Sequence, residues 1–179
     1  MTEVFLRRLT RWQADQQRES VADTYARSYG DQADARADFL RRYADHIQQP
    51  GFQMVVANGA AGADAGAGVA YGFPPRRASD WWTGFRGELP EDVAELAAAG
   101  SVFVIVDLMV VPERRRKGLA TRMRERLLAG TDAPFVAARV DRDNHVAPAV
   151  LRSWDWARLG EWRPDPQTAP AEVWGHRPG

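Results

Sequence analysis

The residue pattern predicts a mixed α/β fold with a parallel crossover near its centre. Three observations carry this. Two helix-length segments with few breakers follow a short N-terminal apolar run; two small-residue strands then flank a glycine-rich connection; and a strand, helix, strand succession occupies Ser101 to Val140. Such a succession closes into a parallel pair in which the helix crosses over.

Val4 to Leu9 is read as the first strand. Arg11 to Tyr29 carries helix formers up to Gly30, a residue suited to ending a helix. Asp31 to Gln48 sets Ala33, Phe39, Leu40, Tyr43 and Ile47 at helical intervals and stops at Pro50-Gly51. Phe52 to Ala57 and Gly68 to Phe73 flank "NGAAGADAGAG" as a strand hairpin with a flexible connection. Pro74 to Pro90 reads as an irregular insertion bearing Trp81, Trp82 and Phe85, followed by a short helix from Glu91 to Ala99. Ser101 to Val111 is the strongest strand, Gly118 to Leu128 a helix, Pro134 to Val140 a strand and Asn144 to Trp156 a helix. The proline-punctuated end adds at most one or two short strands. No internal repeat is visible.

A chain of 179 residues is expected to form a single domain, residues 1–179, with a substantial core. Lys plus Arg and Asp plus Glu are each 24, so the balanced charge argues against a nucleic-acid or membrane partner. Cysteine is absent, which excludes disulfides, thiolate metal sites and a cysteine nucleophile. His46, His145 and His176 are far apart in sequence, so no metal site is expected. The first residues lack the apolar stretch of a signal peptide and no later run is long enough to span a membrane, so a cytoplasmic protein is expected.

The densest information lies in "DLMVVPERRRKGLATRM", Asp107 to Met123. A strand that passes through a basic, glycine-containing turn into a helix aims several backbone N–H groups at one spot, and the helix end adds about half a positive charge there. Arg114 to Lys117 supply mobile cations, Gly118 permits positive φ or close backbone approach, Ala120 keeps the second turn small and Thr121 offers a hydroxyl. Phosphate is the natural guest. A merely solvated charged turn has the same composition, and a P-loop or dinucleotide fingerprint is excluded by spacing.

Arg115-Arg116-Lys117-Gly118-Leu119-Ala120 is similar to the R/Q-x-x-G-x-G/A signature of the GNAT superfamily of N-acetyltransferases, and "DLMVVP" looks like that family's fourth strand. The resemblance implies a central sheet of about six to seven strands with a splayed parallel pair. It also implies acetyl-CoA as co-substrate. Leu108, Met109 and Val110 would pair with its pantetheine arm, and Arg115 to Thr121 would hold its pyrophosphate. "DNHVAPAVLRSWDW" resembles a later family block and places Asn144, Ala147 and Trp156 in register, with Asn144 implied as a cofactor contact. The resemblance covers roughly residues 50 to 163.

Two departures stand out. Leu151 occupies the position where many relatives carry a tyrosine that protonates the leaving thiolate, and it has no proton to give. Asp155 replaces the glycine before the closing aromatic, a change tolerated only if the backbone there is unstrained. The resemblance implies direct attack of an acceptor amine in a ternary complex, with backbone N–H groups near Val110 stabilising the thioester oxygen. Asp107 sits where several relatives carry an acidic residue and is the leading base; as a strand-end aspartate it is equally a surface or turn residue. Trp81, Trp82 and Phe85 either line an acceptor pocket, or cap the core or meet a partner subunit. Tyr71 reads as core or strand surface, and His145 as a polar first-turn residue. The acceptor would be a small-molecule or peptide amine. Relatives often dimerise, which leaves a homodimer open. The competing function is an acyl-CoA-binding sensor or interaction module without strong catalysis, which Leu151 favours.

Overall fold

The computed structural model describes residues 3–30, 33–59 and 66–179. The element order is β1 (Val4–Leu9), α1 (Arg11–Gln16), α2 (Arg18–Tyr29), α3 (Ala33–His46), β2 (Gln53–Gly59), β3 (Gly66–Phe73), β4 (Phe85–Arg86), α4 (Glu91–Ala98), β5 (Val102–Val110), α5 (Leu119–Leu128), β6 (Phe135–Asp141), α6 (Ala147–Ser153), β7 (Ala157–Trp162) and β8 (Ala171–His176). The strands form one mixed sheet in the order β1-β2-β3-β5-β6-β8-β7-β4. By density of contacts the chain divides into two compact units, residues 1–73 with 106–132 and residues 74–105 with 133–179.

In the first unit, β1, β2 and β3 run antiparallel, with Leu9 opposite Met54 and Met54 opposite Tyr71. The hairpin is as expected; residues 60–65 of its glycine-rich connection lie outside the described residues. Alternate residues of a strand point to opposite faces. Met54, Val56, Val69 and Tyr71 therefore share one face, where they join Leu9, Val21, Phe39, Tyr43, Ile47 and Met109 in a single cluster. The other face meets α5, where a Cβ added at Gly68 would come within 2.8 Å of the Met123 methyl and 2.7 Å of the Met109 carbonyl oxygen. Glycine is required there by close approach, and β3 is buried along its whole length.

In the second unit, β5 and β6 are parallel from Val102 opposite Phe135 to Ile105 opposite Ala138. The parallel ladder comprises these four pairs, while β5 runs to Val110 and β6 to Asp141. β6, β8, β7 and β4 continue antiparallel, with an irregularity between Arg158 and Gly160. Val93, Ala97, Leu151, Trp156, Val173 and Trp174 are buried.

Three expectations need correction. The segment from Arg11 to Tyr29 is two helices, because Thr10 and Gln13 form a reciprocal capping box that starts α1 and the chain bends at Gln17, with φ −98° and ψ 14°. The sheet has eight strands, more than the six to seven expected, since the insertion contributes the two-residue β4 and the tail contributes two full strands, β7 and β8. The helix expected over Asn144 to Trp156 is only Ala147–Ser153. Asn144 stands outside it, its Oδ1 accepting from the backbone N–H groups of Val146 at 3.3 Å and Ala147 at 3.0 Å.

Candidate active site

At the end of β5, the Val111 N–H donates to the Ala67 carbonyl at 3.0 Å, holding the strand exit against β3. Pro112 opens one 3₁₀ turn through Arg114, which suits a residue with fixed φ and no N–H to satisfy. Arg115 is extended, Arg116 has φ +62° and Gly118 has φ +76°. This sharp reversal launches α5 with no side chain capping its N-terminus. The N–H of Arg122 donates to the Gly118 carbonyl at 3.1 Å. The N–H groups before it face away from the helical ladder, where an anion is stabilised by their dipoles and the helix end. A Cβ added at Gly118 would meet nothing within 4 Å among the described residues, so the seat is open. Leu119 is buried beneath it, while Ala120 and Thr121 are half-buried. The chemistry and the space both fit a pyrophosphate.

The four cations are not equivalent, which corrects the expectation that all are mobile. Arg115 is tied down: its Nε donates to the Val110 carbonyl at 2.8 Å and its Nη2 to the Ser28 carbonyl at 2.7 Å. It thus clasps the end of β5 to the last turn of α2. Beside it, Arg27 pairs with Glu113 and donates through Nη1 to the Gly66 carbonyl at 3.1 Å. The backbone of Glu113, then Arg27, hold its carboxyl below the ordinary range. Lys117 rests on the Glu113 carbonyl at 3.3 Å and is exposed, as is Arg116. Arg115, Arg116 and Lys117 are all exposed, and Arg115 is the one held by the Val110 and Ser28 carbonyls.

Three residues before the strand ends, half-buried Asp107 meets a polar group that the sequence did not assemble. The Tyr71 hydroxyl hydrogen-bonds Asp107, and its other neighbour is the Nδ1 of His46 at 2.9 Å. Burial first, then the Asp107 carboxylate, raise the Tyr71 phenol well above its ordinary pKa. Arg42 stands on the other side. Burial opposes its charge, but Asp107 and a hydrogen bond to Tyr25 prevail and raise its pKa. Its guanidinium lies 5.8 Å from the Phe39 ring centroid. Arg42 and His46 are four residues apart on α3 and so share a helical face, a spacing visible in the sequence once Tyr71 is known to lie opposite. Leu108 is half-buried, and Met109 and Val110 are buried.

The remaining expected residues belong to the second unit. Trp81 and Trp82 are 6% and 2% exposed and meet edge to face. Phe85, half-buried, meets Trp82 at 5.9 Å between centroids. Arg139 lies 4.0 Å from the Trp162 centroid and 5.1 Å from that of Trp81, which explains the packing of this aromatic group around one cation. Leu151 is buried. Asp155 does adopt the left-handed conformation, φ +63°, so the glycine position keeps its geometry without its glycine. His145 is exposed.

Among the described residues, no group of His, Cys, Asp and Glu side chains is placed to hold a metal ion, and no helix is long and apolar enough to cross a membrane.

The fold is shared with solved acetyltransferases of the GNAT type. Solved structures agree in fold. A protein from Desulfovibrio desulfuricans assigned to the GNAT acetyltransferases superposes with a TM-score of 0.65 at 13% identity, covering 98% of this chain and 99% of that one. The ribosomal-protein-S18-alanine N-acetyltransferase of Escherichia coli gives 0.64 at 12%, covering 98% and 94%. The PaiA N-acetyltransferase of Thermoplasma acidophilum, solved with coenzyme A, gives 0.58 at 9%, covering 98% and 99%. No family model and no curated protein matches the sequence.

Proposed function

We propose that this chain is an acetyl-CoA-dependent N-acetyltransferase that transfers the acetyl group directly to an amine acceptor. The observation that carries the reading is the open, uncapped N-terminus of α5 behind Gly118, flanked by exposed Arg116 and Lys117. Its donors and charge suit the CoA pyrophosphate. Leu108, Met109 and Val110 precede this turn on the strand, where backbone groups would run beside the pantetheine arm. Asn144, whose Oδ1 accepts from backbone N–H groups in the turn before α6, is a cofactor contact only by resemblance to the family.

Asp107 is the assigned base. It takes one proton from the acceptor ammonium, directly or through water, and the freed lone pair forms the new C–N bond. As the C–S bond breaks, its electron pair leaves on sulfur, and the second proton of the attacking nitrogen passes to water or to the departing thiolate, leaving a neutral amide. With Leu151 unable to donate, the CoA thiolate departs unaided or takes a proton from water; an ordinary thiol pKa near roughly 8.5 makes this tolerable. Of the three aromatics considered for the acceptor, Phe85 keeps accessible surface.

A catalytically weak acyl-CoA-binding module is the alternative, and buried Leu151 favours it. Release of CoA thiol from acetyl-CoA, followed with a panel of a polyamine, an aminoglycoside and a peptide with a free N-terminus, separates the two. Turnover that rises with amine supports the transferase. Binding of acetyl-CoA without amine-dependent turnover supports the module.

A further inference from the structure

Asp107 accepts from Tyr71, and the Tyr71 oxygen also meets His46 Nδ1 at 2.9 Å. A phenol has one proton and so can donate to only one of these neighbours. Asp107 stands beside the Arg42 guanidinium, and a carboxylate beside such a cation accepts only. Tyr71 therefore donates to Asp107. The contact with His46 can then be a hydrogen bond only if the imidazole donates, so its proton sits on Nδ1.

We infer that His46 and Tyr71 are positioning residues for Asp107, forming a one-way donor chain from His46 Nδ1–H to the Tyr71 hydroxyl to the Asp107 carboxylate. The chain fixes which way the carboxylate faces. This deepens the transferase reading and rests on it for its catalytic meaning. Among the described residues, the charged and titratable groups around the chain include Arg42 and Tyr43 on α3, Tyr25 on α2 through Arg42, and Asp107 itself on β5. Tyr71 is completely buried, with rings of Tyr43 and Phe52 at 5.6 and 5.8 Å, so its hydroxyl has little freedom to turn elsewhere. Its raised pKa keeps it a donor throughout the neutral range.

The first test needs no ligand. Nitrogen NMR of imidazole-labelled full-length protein reads the tautomer of neutral His46, and the Nδ1–H form should dominate. Asp107→Ala removes the carboxylate acceptor, so the Tyr71 proton should turn to His46 and the tautomer flip to Nε2–H. A wild-type protein dominated by Nε2–H, or no flip in Asp107→Ala, overturns the chain. The second test is kinetic, using acetyl-CoA with the amine panel. Tyr71→Phe keeps the ring and removes only the hydroxyl; it should lower kcat by about tenfold or more while leaving acetyl-CoA stabilisation of the fold unchanged, as expected for a misaligned base. His46→Leu should match it, and His46→Asn, which keeps a donor near the Nδ1 position, should recover part of the rate. Wild-type kcat in Tyr71→Phe overturns the positioning role. Lack of amine-dependent turnover in the wild type overturns the transferase reading and the catalytic meaning together, while the tautomer result stands or falls by itself.

Discussion

Arg115 is predicted to act as a clasp rather than a phosphate ligand, and Arg115→Met tests this. The substitution keeps an apolar stem of similar length but removes the donors to the Val110 and Ser28 carbonyls, at 2.8 and 2.7 Å. A hydrogen bond from a charged donor is worth about 1.5–3 kcal/mol when buried. Here the bonded atoms are only part-buried, so water replaces much of each, and about 1 kcal/mol apiece is the better figure. The sum, about 2 kcal/mol, should lower the midpoint of thermal unfolding by roughly 4–8 °C in a chain of 179 residues. Arg115→Lys is the sharper control. One ammonium cannot span both carbonyls as the guanidinium fork does, so it should recover no more than about half of the loss. A midpoint within about 1 °C of wild type for Arg115→Met, or full recovery by lysine, would refute the clasp and return Arg115 to the mobile cations.

Further predictions concern backbone and charge. Gly68→Ala should cost about 1–3 kcal/mol, because its Cβ would press on the Met109 carbonyl oxygen, a backbone atom that cannot yield like the Met123 methyl. Adding Met123→Ala should recover only part of the loss in urea unfolding, and complete recovery would remove the backbone from the explanation. Asp155→Gly should raise stability by roughly 0.5 kcal/mol, the left-handed penalty relieved less the extra freedom of glycine in the unfolded chain; a lowered midpoint would contradict it. Arg177 bonds both oxygens of Asp92, at 2.5 and 3.1 Å, and holds that carboxyl below its ordinary value of 3.8. A depressed folded pKa gives stability that is complete above the unfolded value and is lost as pH falls through the folded one. Arg177→Gln should therefore lower the midpoint at neutral pH and match wild type at about pH 2, and an equal deficit at both would show that the pair is not the cause.

The sequence carried the first unit well where local signals agree with tertiary ones. Val4 to Leu9, the β2–β3 hairpin and the turn from Val111 to Gly118 are each fixed by periodicity and by punctuation with glycine or proline. Gly118 in the left-handed region is the clearest case, since the residue type and the turn demand the same backbone. Thr10 and Gln13 also carried a local signal, a capping box, obscured by the uninterrupted helix formers on either side. The site chemistry was less legible for a physical reason. Arg115 and Lys117 look alike in a basic run, and only the Ser28 and Val110 carbonyls, brought near by α2 and β5, separate a clasp from a mobile cation. The link of His46 to Tyr71 spans 25 positions and Tyr71 to Asp107 another 36, and no local rule joins them. In the second unit, the short β4 gains its pairing from β7 rather than from its own two residues, and Trp81 and Trp82 are drawn inward with Arg139.

Thermal unfolding of the full chain with acetyl-CoA, with CoA and with neither tests the central claim most directly, that the turn from Val111 to Thr121 seats the CoA pyrophosphate. At about 100 times its dissociation constant, acetyl-CoA should add roughly 2.7 kcal/mol and raise the midpoint by about 5–11 °C. Reversing the exposed cations in Arg116→Glu/Lys117→Glu should remove most of that rise while moving the ligand-free midpoint by no more than about 1 °C. No rise at saturating acetyl-CoA, or an undiminished rise in the charge-reversed variant, would contradict the account.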